Sequence, residues 1–427
     1  MIDIKFLREH PDLVKENIEA KFQEKKLPLV DKILDIDKKW RGEKKRADDL
    51  RSERNKISEQ INVLMKQKKK AEAKKLIPKA KKIPEKIEKV QAKSIELESE
   101  VRKLLLQIPN IIHPSVPRGK DESENKELRK VGKIPSFDFP IKGHADIVEE
   151  LDLVDTKKGA EVSGSRFYYL RGDLVLLNLA LQRFALDVVI KKGYLPIQPP
   201  YMINKFAVGG AVSLADFEES IYKIADEDLY LIGTSEHALA AMHQEEVINL
   251  KQPLKYAGVS SCFRKEAGSH GRDTKGIFRV HRFEKIEQFA FCKSEKEDEL
   301  FDEIISNQEE IFKLLKIPYR VVVLCSGETG NSMARTHDLE GWFPAQKKYR
   351  ELGSTSSAKD YQSRKLNTRY QKGDKMIPVC TLNGTAMTIQ RTMCCILENN
   401  QNKDGSIGIP KVLWPYMGGL KKIEAKK

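Results

Sequence analysis

The chain has 427 residues, 40% of them hydrophobic, enough for about three domains and a sizeable core. No apolar run approaches the roughly 20 residues of a membrane span. The opening MIDIKFLREHPDLV lacks both a signal-peptide core and an Arg-rich transit composition, so no membrane is expected and the location expected is cytoplasmic. The net charge of +14 is uneven: Met1 to His113 holds 30 Lys and Arg against 20 Asp and Glu, which predicts a polyanion partner for this first part.

Six cysteines, Cys262, Cys292, Cys325, Cys380, Cys394 and Cys395, form no CxxC pair and have no His at zinc spacing. Neither a disulfide framework nor a zinc site is supported, and buried thiols are expected.

In chain order, the first pattern is a heptad. Ile33, Ile36, Trp40, Ala47, Leu50, Ile57, Ile61 and Leu64 fall on alternating spacings of three and four, with Glu43 and Arg54 at the two seam positions that are not apolar. Ile87, Val90, Leu97, Val101 and Leu104 repeat the period, with Ser94 as the gap. Pro78 and Pro84 fall between the two sets, and proline ends helices. The pattern predicts an antiparallel coiled-coil hairpin with helices roughly 30 to 50 Å long. Its connecting segment carries Lys66, Lys68, Lys69, Lys70, Lys74, Lys75, Lys79, Lys81 and Lys82 against Glu72. Any one of these lysines is ordinarily a solvated surface group, but together they form a patch suited to following phosphates without reading sequence.

Arg118 to Lys142 is polar, with Gly119, Gly132, Pro135 and Pro140, and reads as a surface linker. An amphipathic helix follows over Leu174 to Ile190, interrupted by Asn178, Gln182, Arg183 and Asp187, and runs into KKGYLPIQPPYM.

The stretch Cys262 to Phe289 sets Arg264, Arg279 and Arg282 among Glu266, Glu284 and Glu287. Cys262 to Glu266 and Ile277 to Phe283 alternate apolar with polar around a break holding His270, Gly271, Arg272, Asp273 and Gly276, so two strands and a long loop are predicted. Such a charged hairpin is most often a plain solvated surface. Here the residue types favour a site: guanidinium forks match phosphate and carboxylate, and glutamates accept from an ammonium group.

FRKEAG, GRDTKGIFRVH and FEKIEQF together resemble motif 2 of the class II aminoacyl-tRNA synthetases, in the form found in the seryl-tRNA synthetase family. The resemblance extends along most of the chain. IPNIIHPSVP at Ile108 to Pro117 is similar to the stretch where that family's arm rejoins the body, and VSGSRFYYLRG at Val162 to Gly172 to its approach to the catalytic sheet. Gly193, Tyr194, Ile197 and Pro200 resemble motif 1, TLNGTAMTIQRTMCCILENNQ resembles motif 3, and DGSIGIPKVLWPYMGG resembles the closing stretch, with Trp414 where arginine is frequent.

The family implies an α+β fold, an antiparallel sheet flanked by helices and preceded by the coiled-coil hairpin. The implied domains are residues 1–113, binding tRNA through an arm that includes Lys68, Lys69, Lys70, Lys74 and Lys75, and residues 114–427, catalytic. The implied reaction joins L-serine and ATP into seryl-adenylate and passes the seryl group to tRNA(Ser), with selenocysteine tRNA a second acceptor left open. Motif 1 implies a homodimer.

Residue by residue, Thr234, Ser235 and Glu236 are implied in the serine pocket; read alone, TSE is a helix cap with an acid in the first turn. Arg264 is implied to meet the α-phosphate and the serine carbonyl, and Glu266 the adenine amino group, with Lys265 beside them. Val280 is to lie along the nucleotide, Arg279 is to meet the substrate's acidic end, and Arg391 the γ-phosphate. Glu287 and Thr385 are implied to hold the serine hydroxyl, with Asn383 beside them. Glu351, Leu352, Gly353 and Ser354 fall where the family binds ATP, Glu351 and Ser354 also where it binds Mg²⁺; on their own those two are an ordinary strand-end pair. One block departs: STSSAKD at Ser354 to Asp360 puts Ser357 and Ala358 where the family commonly has Asn and Cys, and adds Lys359, while Asp360, Gln362 and Arg364 still fit. A paralogue loading a carrier protein and a non-catalytic RNA-binding regulator are the alternatives. The first has no use for a basic arm, and the second predicts erosion of Arg264, Arg279, Glu287 or Arg391, all of which are present.

Overall fold

The computed structural model describes residues 1–212, 219–266, 273 and 275–424. The chain divides into two compact units, Ile2–Pro109 and Asn110–Lys427, the second also taking Met1. No helix among the described residues is long and apolar enough to cross a membrane.

In the first unit, α1 (Ile4–Glu9) and α2 (Pro11–Ala20) precede two long helices, α3 (Leu27–Lys66) and α4 (Lys70–Leu105). Short helices are marginal alone, and these bury Leu7, Val14 and Ile18. Arg8 forks onto buried Asp37 with bonds of 2.8 and 2.6 Å, tying α1 to α3. The long helices run antiparallel: Lys32 pairs with Glu100 and Glu53 with Lys79. Ile57, Ile83 and Ile87 form a buried seam flanked by Leu50, Ile61, Leu76 and Ala80.

The hairpin differs from the expectation in where it turns. At 40 and 36 residues, the helices are about 60 and 54 Å long, and Pro78 and Pro84 lie inside α4. A proline in a helix interior costs about 3 kcal/mol, but breaking α4 there would expose Ile83 and Ile87, and the continuous seam prevails. The chain reverses instead over Gln67 to Lys69. Lys68 adopts φ 62° and Lys69 N–H donates to Leu64 O at 2.9 Å. Lys68, Lys69 and Lys70 therefore sit at the tip and Lys74 and Lys75 along the start of α4, all five exposed.

The second unit is built on an eight-stranded sheet. Its strands are β1 (Lys126–Val131), β2 (Leu195–Ile197), β3 (Leu254–Phe263), β4 (Arg282–Cys292), β5 (Tyr319–Val323), β6 (Arg335–Phe343), β7 (Lys348–Lys359) and β8 (Cys380–Thr388). The order is β1-β5-β6-β7-β8-β4-β3-β2. Every neighbouring pair is antiparallel except β2 with β3.

Side chains alternate across a strand, and β4 uses both faces. Ile286, Ala290 and Cys292 join the large core formed with α5 (Asp173–Lys191), α7 (Glu297–Leu315) and α8 (Ile389–Asn399). Phe289 and Phe291 join a second core with Ile232, Leu239, Tyr256 and Val379, covered by α6 (Ser235–Ala241). Lys285 and Glu287 share that second face. Gly384 on β8 lets α7 press close, since a Cβ there would stand 2.1 Å from Ile304 Cγ2.

The predicted hairpin strands, Cys262 to Glu266 and Ile277 to Phe283, need correcting. The last paired residues are Phe263 and Arg282. Lys265 N–H turns to Ser220 O at 2.8 Å and Glu266 takes φ 49°, so pairing stops and Arg264 and Glu266 do not share a strand face. Arg279 and Val280 lie in the connection rather than in a strand. His270, Gly271 and Arg272 of the predicted loop lie outside the described residues.

Candidate active site

Thr234, Glu236, Arg264, Glu266, Arg279, Val280, Glu287, Glu351, Ser354, Asn383, Thr385 and Arg391 come from separated stretches of sequence: β4, β7 and β8 carry Glu287, Glu351, Ser354, Asn383 and Thr385, and helix starts and the connection before β4 carry the rest. All but Glu287 line a single cleft, and Glu287, fully buried, lies behind it against the lining residues Asn383, Thr385 and Lys285.

At one end of the cleft are two carboxylates. Thr385 stands directly opposite Glu287 in the β8–β4 register and its hydroxyl reaches Glu287 at 3.5 Å. Asn383 Nδ2 bridges Glu287, at 3.2 Å, and Glu236, at 3.1 Å. Gln362 Nε2 donates to the other oxygen of Glu236 at 2.8 Å. Burial first, and then the Glu287 charge, push the Glu236 carboxyl up to about 7, against the pull of Lys285. The capping role of TSE also holds, since Thr234 Oγ1 accepts from Glu236 N–H at 3.4 Å. Ser235 does not reach the cleft: it is fully buried with its hydroxyl against Gly258.

Along the rest of the cleft are the arginines. Arg264 Nε donates to Gly233 O at 3.1 Å, which holds the guanidinium over the Phe283 ring. Arg279 bonds Glu266 at 2.8 Å and faces Asp273 at 3.7 Å. Arg391 bonds Glu351 at 3.0 Å and holds that carboxyl below its usual range. Ser354 Oγ lies 3.5 Å from Glu351, and across the strand pair Asp338 faces Ser354. Burial and Glu351 push Asp338 well above its usual range, and its Oδ1 has no hydrogen-bond partner among the described residues. Leu352 belongs to the core and Gly353 packs on Thr385, so neither sends a side chain into the cleft. Lys265 is exposed and outside it, near the Tyr222 ring.

Several lining residues have no place in the expected set, Phe278 and Lys285 among them. Phe278 is buried with Arg350 and Arg391 near its ring, at 4.2 and 5.1 Å from the centroid. Lys285 pairs with Glu287 at 2.5 Å and donates to Thr234 Oγ1 at 3.2 Å. The signal for Lys285 was its spacing of two from Glu287 on a strand; Phe278 looked like any apolar member of an alternating run. In the departing block, Ser357 and Ala358 are buried and line no part of this cleft, and their carbonyls accept from Ala334 and Asn110 at 2.7 and 2.9 Å.

A mostly antiparallel sheet with arginines on a strand connection and at a helix start, facing paired carboxylates, defines the core of a class II aminoacyl-tRNA synthetase. Residues 221–400 match the profile of the tRNA synthetase class II core domain (G, H, P, S and T), and residues 1–112 that of the seryl-tRNA synthetase N-terminal domain. The serine–tRNA ligase of Nitrosopumilus maritimus is 45% identical, over 99% of this chain and all of its own. The crystal structure of seryl-tRNA synthetase from Pyrococcus horikoshii complexed with ATP superposes with a TM-score of 0.94 at 44% identity, covering 100% of both chains. That of the cytoplasmic serine–tRNA ligase from Naegleria fowleri in complex with AMP gives 0.89 at 39%, over 100% and 99%. The chain belongs to the seryl-tRNA synthetase family.

Proposed function

We propose that the protein joins L-serine and ATP into seryl-adenylate and then transfers the seryl group to the 3′ end of tRNA(Ser). In the first step a serine carboxylate oxygen attacks the α-phosphorus, the bond to the bridging oxygen breaks and pyrophosphate leaves. In the second, a hydroxyl of the terminal ribose attacks the carbonyl carbon and AMP leaves. Little covalent work falls to the protein, so rate comes from holding the reactants together and neutralising charge at phosphorus. Arg264, whose charge is felt by both Glu236 and Glu351, serves the α-phosphate and the serine carbonyl in this reading. Arg279 and Arg391 take the remaining phosphates, and Phe278 offers the base a flat face.

Serine specificity rests on the floor of the pocket. Glu236 and Thr234 hold the ammonium group, while Glu287 and Thr385 hold the hydroxyl. Alanine leaves those buried groups unpaired, which discriminates far more strongly than a lost methylene. Threonine is rejected by size. Glu351, Ser354 and the Asp338 oxygen, which has no partner among the described residues, offer a hard-oxygen donor set that fits Mg²⁺, which when bound would offset charge on the phosphates.

The basic arm is the tRNA grip in this reading, and residues 1–113 and 114–427 are its tRNA-binding and catalytic domains. A homodimer is proposed because Val175, Leu176, Leu179 and Ile190 on α5 and Leu195 on the edge strand β2 are exposed. The site of action is proposed to be the cytoplasm.

The observation that carries the reading is Thr385 opposite Glu287 at the closed end of an arginine-lined cleft. ATP–pyrophosphate exchange across serine, threonine, alanine and cysteine, followed by charging of tRNA(Ser) and selenocysteine tRNA, tests it. Exchange is expected with serine alone. Exchange without charging turns the reading toward a carrier-protein ligase, and no exchange toward an RNA-binding regulator.

A further inference from the structure

Two carboxylates meet in the serine pocket, and serine activation needs only one of them to meet a cation. Glu236 and Glu287 are both buried and share Asn383 Nδ2. The serine ammonium supplies one positive charge, and its carboxylate is matched separately by Arg264. The hydroxyl brings none. Left alone, the pair would hold a second buried negative charge with nothing from the substrate to match it, an arrangement that suits a diamino acid better than serine.

Lys285 changes that balance. It lies two residues from Glu287 on β4, so the two side chains share a face, and its ammonium contacts Glu287 at 2.5 Å and Thr234 at 3.2 Å. Its side chain is 9% exposed and that of Glu287 fully buried, so water screens the pair little. The groups around it are Glu287, Thr234, Glu236, Arg264, Cys262, His237 and, farther along the cleft, Glu351, and Glu287 alone forms an ion pair with it among the described residues.

We propose that Lys285 is a specificity-determining residue: by neutralising Glu287 it leaves the pocket one net negative charge, so that a hydroxymethyl side chain is accepted and an aminomethyl ammonium side chain refused. Glu287 keeps a lone pair for the serine hydroxyl without demanding a second cation. This rests on the assignment of the pocket to serine. It adds that the pocket counts charge as well as hydrogen bonds, and the residue that sets the count is the lysine.

The test compares L-serine with L-2,3-diaminopropionate in ATP–pyrophosphate exchange for the wild type, Lys285→Met, Lys285→Arg, Glu287→Gln and the Lys285→Met/Glu287→Gln double variant, with AMP binding as a check on the fold. Lys285→Met is expected to lose about 100-fold in kcat/KM for serine and to raise the diaminopropionate-to-serine ratio at least about tenfold, while Lys285→Arg keeps the wild-type ratio. The double variant, in which neither charge remains, is expected to activate serine at least about tenfold better than either single change. An unchanged ratio in Lys285→Met, or a double variant no better than Glu287→Gln alone, overturns the proposal. The latter comparison holds even if Lys285→Met fails to fold. Wild-type protein that exchanges no serine contradicts the functional reading itself, whereas serine exchange with an unmoved ratio contradicts only the role of Lys285.

Discussion

Arg264 is held between two anchors, the Gly233 carbonyl at 3.1 Å and the Phe283 ring, with its backbone N–H on His281 O at 2.9 Å. A guanidinium fixed in this way loses little freedom when substrate arrives. Arg264→Ala is therefore expected to lower kcat/KM of pyrophosphate exchange by roughly 10²- to 10³-fold, with tRNA affinity measured by filter binding unchanged. Retained exchange removes Arg264 from the chemistry. Glu236 gives a prediction in pH. Its carboxyl is pushed up to about 7 by burial, with Glu287 adding and Lys285 and Arg264 opposing. Because the pKa is raised, the empty protein favours the protonated acid and loses this contribution as pH rises from the ordinary carboxylate range through about 7. Serine binding runs the other way, since only the ionised group holds an ammonium. The serine KM is expected to fall about tenfold from pH 6 to 8, and Glu236→Gln to abolish that dependence; a flat profile in the wild type contradicts the assignment.

The two long helices show where periodicity is decisive and where local rules fail. The heptad seam was legible at Ile57 and Ile87, which keep the period whatever surrounds them, but not at Ile83, which lies between the two sets and completes the buried cluster. The turn was not, because Pro78 and Pro84 are local helix breakers overruled by burial at a distance, whereas the true reversal at Lys68 uses a residue with no turn signature. The proposed role of the arm in tRNA binding rests on the exposed lysines around that turn. Replacing Lys68, Lys69, Lys70, Lys74 and Lys75 with alanine is expected to weaken tRNA binding and to flatten the slope of log K against log salt by about 0.7 to 0.9 for each phosphate that is no longer neutralised. Exchange stays intact. An unaltered slope takes the arm out of tRNA binding.

In the sheet, the alternating pattern mistook the connection that carries Arg264, Glu266 and Arg279 for strand, whereas the paired strand β4 runs over Arg282–Cys292 and carries Glu287. Ladder pairing there competes with a bond from Lys265 to Ser220, which is 45 residues away in sequence and invisible to a local pattern. The same limit explains Lys285 and Phe278. Their neighbours Thr234 and Arg391 come from other stretches, so only the folded arrangement shows what they touch.

Across the whole molecule, Leu176 and Leu179 on α5, at 47% and 57% exposure, and Leu195 on the edge strand, at 56%, are the apolar surface that the proposed self-complementary partner would cover. The double change Leu176→Asp and Leu179→Asp is expected to shift sedimentation velocity from dimer to monomer; an unshifted dimer places the interface elsewhere.

The central claim is that one cleft binds a nucleotide along its arginines and tests a hydroxymethyl group against Glu287 and Thr385. The most direct measurement is a crystal structure of the protein with a nonhydrolysable seryl-adenylate mimic. The serine hydroxyl is expected within hydrogen-bond distance of Glu287 and Thr385, the ammonium at Glu236 and the phosphate mimic at Arg264. A compound bound outside this cleft, or seated with its seryl end away from Glu287, contradicts the account.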